Sequence, residues 1–235
     1  MLSRPLLSVV IGLVFASLFS ACSKSDSTTG PSQSAPTIPT FAFKGPGSNT
    51  NSAGLQAVNL YVSSLNAIPS SAAPFLGVTP VRVDNTWTWT YTYSTLTMKL
   101  TGTTQSDASV QWKVVLNGVD PADGTAFANW TALEATSSAD GKTGSGKIYV
   151  RNQTVVSNDI TWTTSNNVLT GTLRPYVNNN PVGQTIVVNN PDSSGELRVS
   201  IGTAMIYKAI WQANGSGQWW SYDSNGVQTG TGNWT

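Results

Sequence analysis

A histidine-dependent active site cannot be built from these 235 residues, because the chain contains no His. A Ser–His–Asp triad and a His-ligated zinc are both excluded. Acid–base chemistry falls to carboxylates, and the chain has 11 Asp and Glu in all. Glycoside hydrolysis needs two of them face to face. Glu134, Glu196 and Asp159 sit on predicted strands, but nothing in their spacing makes them converge. Asp120 and Asp123 in VDPADG are the best pair for calcium. No run supplies the several oxygens that calcium takes from one loop, and Asp beside Gly, Pro or Ser reads as turn chemistry. Residues 141–148, GKTGSGKI, have the G-x-x-x-x-G-K spacing of a phosphate loop. Ile148 stands where the Mg²⁺-holding Ser or Thr belongs, and KIYVRN reads as a strand instead of a helix. No S-x-x-K carries supporting motifs. Catalytic residues, metals, cofactors and nucleotides are therefore not expected, and the chain reads as a non-enzyme. The remaining candidates are aromatic. Among nine Trp, Trp219 and Trp220 are adjacent, so on a strand they point to opposite faces. Together with Tyr222 they are the candidate ligand-binding residues.

One further residue has an assignable chemical fate. The N-terminus reads MLSRPLLSVVIGLVFASLFSAC, with Arg4 followed by an apolar run over residues 6–19. About 14 apolar residues fit the core of a secretory signal and fall short of the ~20 needed to span a bilayer. Small Ser20 and Ala21 then precede Cys22, the only Cys of the chain. This segment resembles a bacterial lipoprotein signal peptide ending in a lipobox, departing from it at Phe19, where Leu is usual. The resemblance implies cleavage after residue 21, a diacylglycerol on the Cys22 sulfur and an acyl chain (palmitate-class) on its new amine. More than one chain is what stable anchoring requires. Ser23, where Asp would retain the protein at the inner membrane, implies an outer-membrane lipoprotein of the bacterial cell envelope.

Residues 22–52 are rich in Ser, Thr, Pro and Gly and are expected to form a disordered tether, about 30 Å in r.m.s. span. Phe41 and Phe43 alternate within it, as a short edge strand would. Beyond it, Leu55, Val58, Val62 and Leu65 step by 3, 4 and 3. That is a helical stripe, capped by Asn51 or Ser52 and stopped at Pro69, and it predicts a helix over residues 53–67. From Val81 the period changes to two. In NTWTWTYTY, Trp87, Trp89, Tyr91 and Tyr93 share one face. Ten to twelve short strands follow in all, separated by turns such as DPADG, SADGKTG, TSNN, NNPDSSG, ANGSG and DSNG. The expected fold of residues 53–235 is mainly β. It is an antiparallel meander forming a curved sheet or barrel, with one N-terminal amphipathic helix as its cover.

Three segments, TGSGKI, NGSGQW and TGTGNW, share a G-x-G-x-apolar pattern. The last two, around GQWWSYDSNG, resemble the hairpin of MORN-type repeats, which implies hairpin geometry and no function. Charged residues are 10% of the chain, well under the roughly 25% of an average domain, while Ser, Thr and Asn make up 78 of its residues. With a net charge of +1 there is no basic patch for nucleic acid. The expected function is a cell-envelope lipoprotein with a non-catalytic β-domain that binds a glycan or protein partner or serves a structural surface role. The alternative is a carrier of an apolar or glycan ligand inside a curved, aromatic-lined sheet.

Overall fold

The computed structural model describes residues 34–47 and 52–235; the signal segment and Cys22 lie outside the described residues. The packed body runs over Ala35–Thr235. Helix α1 (Ala53–Ala72) starts on Ser52, whose hydroxyl accepts the Leu55 N–H at 3.4 Å. The predicted stripe of Leu55, Val58, Val62 and Leu65 is buried. The helix does not stop before Pro69 but runs through it to Ala72. Proline removes one backbone donor and costs about 3 kcal/mol inside a helix. Fully buried Phe75, in the 3₁₀ turn Ala73–Phe75 that follows, holds the chain on course.

Fourteen strands come next: β1 (Val81–Val83), β2 (Thr86–Tyr93), β3 (Leu96–Thr104), β4 (Val110–Val119), β5 (Ala126–Ser137), β6 (Thr143–Tyr149), β7 (Val156–Ser165), β8 (Val168–Val177), β9 (Asn180–Pro181), β10 (Gly183–Asn189), β11 (Gly195–Ile201), β12 (Ala204–Trp211), β13 (Gly217–Tyr222) and β14 (Gln228–Trp234). Each pairs antiparallel with its sequence neighbours, except that β9 pairs only with β8 and β10 takes its place beside β8. The meander ends at β1 and β14 without closing. Of the two expected forms, the barrel is therefore excluded.

The aromatic face is covered by other means. Two apolar clusters lie on it. One joins the α1 stripe to Ile160, Trp162, Leu197, Tyr207, Trp211 and Trp234. The other gathers Ile38, Phe75, Trp87, Trp89, Leu100 and Trp112. Tyr91 packs against the second cluster, while Tyr93, at the end of its strand, is exposed.

Of the tether expected over residues 22–52, residues 22–33 and 48–51 lie outside the described residues, and the part over residues 35–47 is corrected because these residues are packed. They form no strand but a strap along the strand ends. Ile38 and Phe43 are buried, and Phe41 stacks on Trp162 with centroids 5.0 Å apart. Two Asn side chains fasten it. Asn66 on α1 accepts the Phe43 N–H and donates to the Phe43 carbonyl, both at 2.7 Å. Asn189 on β10 does the same for Lys44, at 2.8 and 2.9 Å. Each amide imitates a backbone neighbour and so satisfies strap groups that no strand pairs.

One device recurs along the sheet. Trp112, Trp162, Trp211 and Trp234 stand opposite Gly102, Gly144, Gly195 and Gly217 in register. Each indole lies where the glycine's missing side chain would be. Each indole N–H also finds a partner near a hairpin turn: Ser137 Oγ, Gly141 O, Ser193 O and Gly215 O, at 2.6–3.0 Å. Glycine weakens a strand by leaving nothing to pack; here the cross-strand indole supplies the packing.

Candidate functional site

The hairpin register decides the fate of the Trp219–Trp220 pair. Trp219 faces inward. It stacks on Tyr207 at 6.2 Å, and its indole lies over Gly232 and against Gly54 of α1. It is core cover, not a surface platform. Trp220 takes the outer face, directly opposite Lys208 on β12, whose Nζ sits 5.7 Å from the indole centroid. That is within cation–π range. Trp220 also lines a shallow open groove of about 320 Å³ together with Ile210, Gln212, Ser216, Gln218 and the edge of Trp234. Tyr222 is half-buried at the far end of β13, beyond a bulge at Ser221, and is not part of this lining. Of the three sequence candidates, the structure therefore places only Trp220 in the groove. Lys208, Gln212 and Gln218 were not singled out from the sequence. The signal was the ANGSG turn: centring a hairpin on Asn214 puts Lys208 opposite Trp220.

Glu134 and Asp159 lie elsewhere, also on the outer face. Lys113, Glu134, Lys147, Asp159 and Arg174 occupy directly opposite positions on β4 to β8, forming a ladder of alternating sign. Glu134 lies 3.3 Å from Lys113 Nζ and accepts the Tyr149 hydroxyl at 2.7 Å. Two strands on, Asp159 accepts the Tyr176 hydroxyl at 2.9 Å, with Arg174 at 3.8 Å. Each tyrosine sits two residues beyond the base facing the acid, so the arrangement is repeated. Glu196 lies apart on β11, gripped by Arg198 at 2.7 and 3.1 Å and by Lys208 at 3.6 Å.

These surroundings hold Glu134 below the usual carboxylate range, first through the Tyr149 hydrogen bond and then through Lys113. Glu196 is lowered chiefly by Arg198. A general acid needs the opposite shift. The same hydrogen bond pushes the Tyr149 phenol up to about 12. Exposed ion pairs contribute little individually, but opposite charges facing across strands penalise a slipped register.

Asp120 and Asp123 close on a cation that the chain itself supplies. Arg151, from the β6–β7 turn, bonds Asp120 at 2.7 Å and grips Asp123 with two nitrogens, while its guanidinium lies 5.0 Å from the Phe127 ring centroid. Phe127 in turn stacks on Trp130. The Arg151 hydrogen bond, aided by the Thr125 N–H, lowers Asp123 from 3.8 to about 2. A depressed carboxylate contributes stability that is present above its unfolded value and lost as pH falls through its folded value. The melting temperature is therefore expected to fall as pH drops from about 4 to 2, with a shallower fall in Asp123→Asn. An equal slope in parent and variant refutes the clasp's contribution. At the alkaline end Tyr149 behaves oppositely: its contribution is present below pH 10 and lost as pH rises through about 12.

Residues 141–148 form a turn running into β6, with β7 as its partner and no helix after it. No protein-family model and no curated protein matches the chain.

Proposed function

We propose that this chain is a bacterial cell-envelope lipoprotein, anchored in the outer membrane through acylated Cys22, whose β-domain binds a glycan on its outer face at Trp220. The observation that carries the binding reading is the outward turn of Trp220 into an open groove edged by Gln212, Ser216 and Gln218. An indole offers a large apolar face. Amide and hydroxyl groups around it both donate and accept hydrogen bonds, which is the complement of a sugar ring with apolar C–H faces and a hydroxyl rim. The carrier alternative needs free space on the inner face of the sheet. There Leu55, Val58, Val62 and Leu65 of the helix and Phe43 of the strap pack directly against the aromatic strands, so the outer face is the better candidate.

Two substitutions in the full chain test this reading. Cys22→Ser abolishes fatty-acid labelling; persistent labelling overturns the anchor. Trp220→Ala lowers retention on immobilised envelope polysaccharide at least tenfold at an unchanged melting temperature. Undiminished retention overturns the binding site and leaves the anchor untouched.

A further inference from the structure

The two ends of the meander differ in chemistry. At the strap end the hairpin tips are residues 84–85, 105–109, 138–142, 166–167, 190–194 and 212–216, almost entirely Asp, Asn, Ser, Gln, Gly and Ala. Apolar residues that end strands there, such as Val110, Trp211 and Trp234, are buried. Val168, which opens β8, is half-buried, and Val83, on the short edge strand β1, is exposed. At the far end, five consecutive hairpins each expose an aliphatic side chain: Val119, Val155, Val177 with Val182, Ile201 and Val227. All six are 37–61% exposed. Successive tips lie two strands apart, roughly 9.5 Å, so these residues form a row along one rim. The clasp of Arg151 by Asp120 and Asp123 lies between the first two and neutralises that arginine.

We infer that this far rim rests on a phospholipid surface, its aliphatic tips inserted at the headgroup level. The row is discontinuous, each aliphatic group separated from the next by polar turn residues such as Asn178, Asn179, Asp223 and Ser224. A protein interface core is contiguous, closely packed and rich in aromatic and Arg anchors. A fluid bilayer accepts separate small apolar insertions without matching their register, and binding to it scales with the apolar area inserted. The length of chain ahead of the packed body argues for the same occupant. About 13 residues separate Cys22 from Ala35, a reach of at most ~45 Å. The ten-residue strands β4, β7 and β8 span about 34 Å. The domain therefore never leaves the neighbourhood of the bilayer, and the tether is long enough for the far rim to touch it. This inference rests on the proposed anchor at Cys22 for proximity alone.

The anchor also makes the test clean, because acylation consumes the only native thiol. Val177→Cys and Ile201→Cys at the far rim, and Ser165→Cys at the strap end, are each introduced into the full lipidated protein. Each is labelled with an environment-sensitive fluorophore and reconstituted in phosphatidylethanolamine–phosphatidylglycerol vesicles carrying headgroup-level nitroxide lipids. The expected result is at least threefold stronger quenching at residues 177 and 201 than at 165, persisting in high salt because no basic patch drives it. Adding Val119→Ser, Val155→Ser and Val227→Ser to the Ile201→Cys protein, all at exposed positions, reduces the quenching while the melting temperature stays at the parent's value. Equal quenching at both ends, or none at either, overturns the inference. So does fluorophore self-quenching between copies in place of lipid quenching, which marks the rim as a contact between chains. A failed anchor is read separately, as two reactive thiols per chain.

Discussion

Replacing Phe43 with alanine is expected to lower the free energy of unfolding by about 3–5 kcal/mol, the usual range for emptying a buried aromatic site. Its ring is 3% exposed and lies over Gly171 on β8, where no side chain competes for the space. Its backbone is held by Asn66 and its neighbour Lys44 by Asn189, so loss of the ring also loosens two paired amide contacts. Replacing Asn189, 6% exposed, with leucine leaves the Lys44 N–H and carbonyl without partners and costs about 1–3 kcal/mol. Removing residues 1–52 has a larger effect than either, because it strips the strap from both apolar clusters. Removing residues 1–34 has little effect on stability. Urea denaturation of the four proteins checks the order. A chain starting at residue 53 that unfolds at the parent's midpoint shows that the strap is only draped on the sheet.

The strap shows where reading the sequence reached its limit. Residues 35–47 share their Pro, Gly and Ser content with the segment before them, and composition alone assigns both to tether. Three apolar side chains, Ile38, Phe41 and Phe43, were the available signal, and in so short a stretch they fit an edge strand as well as a strap. The fastening amides were harder still to see. In a chain one third Ser, Thr and Asn, nothing distinguishes Asn66 and Asn189 from the asparagines that make turns. The meander itself was legible from Val81 onward, because alternation of Trp or Tyr with Thr has only one reading at period two. Open versus closed was not, since a strip of aromatic side chains needs covering but does not say by what. At the candidate site, the split of Trp219 from Trp220 followed from the pleat. Which of them faces outward depended on where α1 lies, and that is a tertiary fact.

A double-mutant cycle on Gly102 and Trp112 gives the sharpest expected result for what holds the sheet together. At Gly102 the nearest atoms to an added Cβ all belong to the Trp112 indole, the first at 2.7 Å. Gly102→Ala therefore pushes first on that ring, at a cost of about 1–3 kcal/mol for overpacking. Trp112→Ala empties a site 4% exposed and leaves buried Ser137 without its indole donor, which costs about 3–5 kcal/mol. In the double variant the new methyl occupies space the indole has left and clashes with nothing. The combined loss should fall short of the sum by about 1 kcal/mol or more, within the range seen for contacting residues. Gly195 and Trp211 serve as the contrast. There the added Cβ also meets the Val188 carbonyl oxygen at 2.5 Å, a backbone obstacle that remains when the indole is gone. Gly195→Ala in a Trp211→Ala background should therefore recover little. Equal coupling at the two pairs, or strict additivity at Gly102, refutes the view that each indole specifies its glycine by occupying the position of the missing side chain.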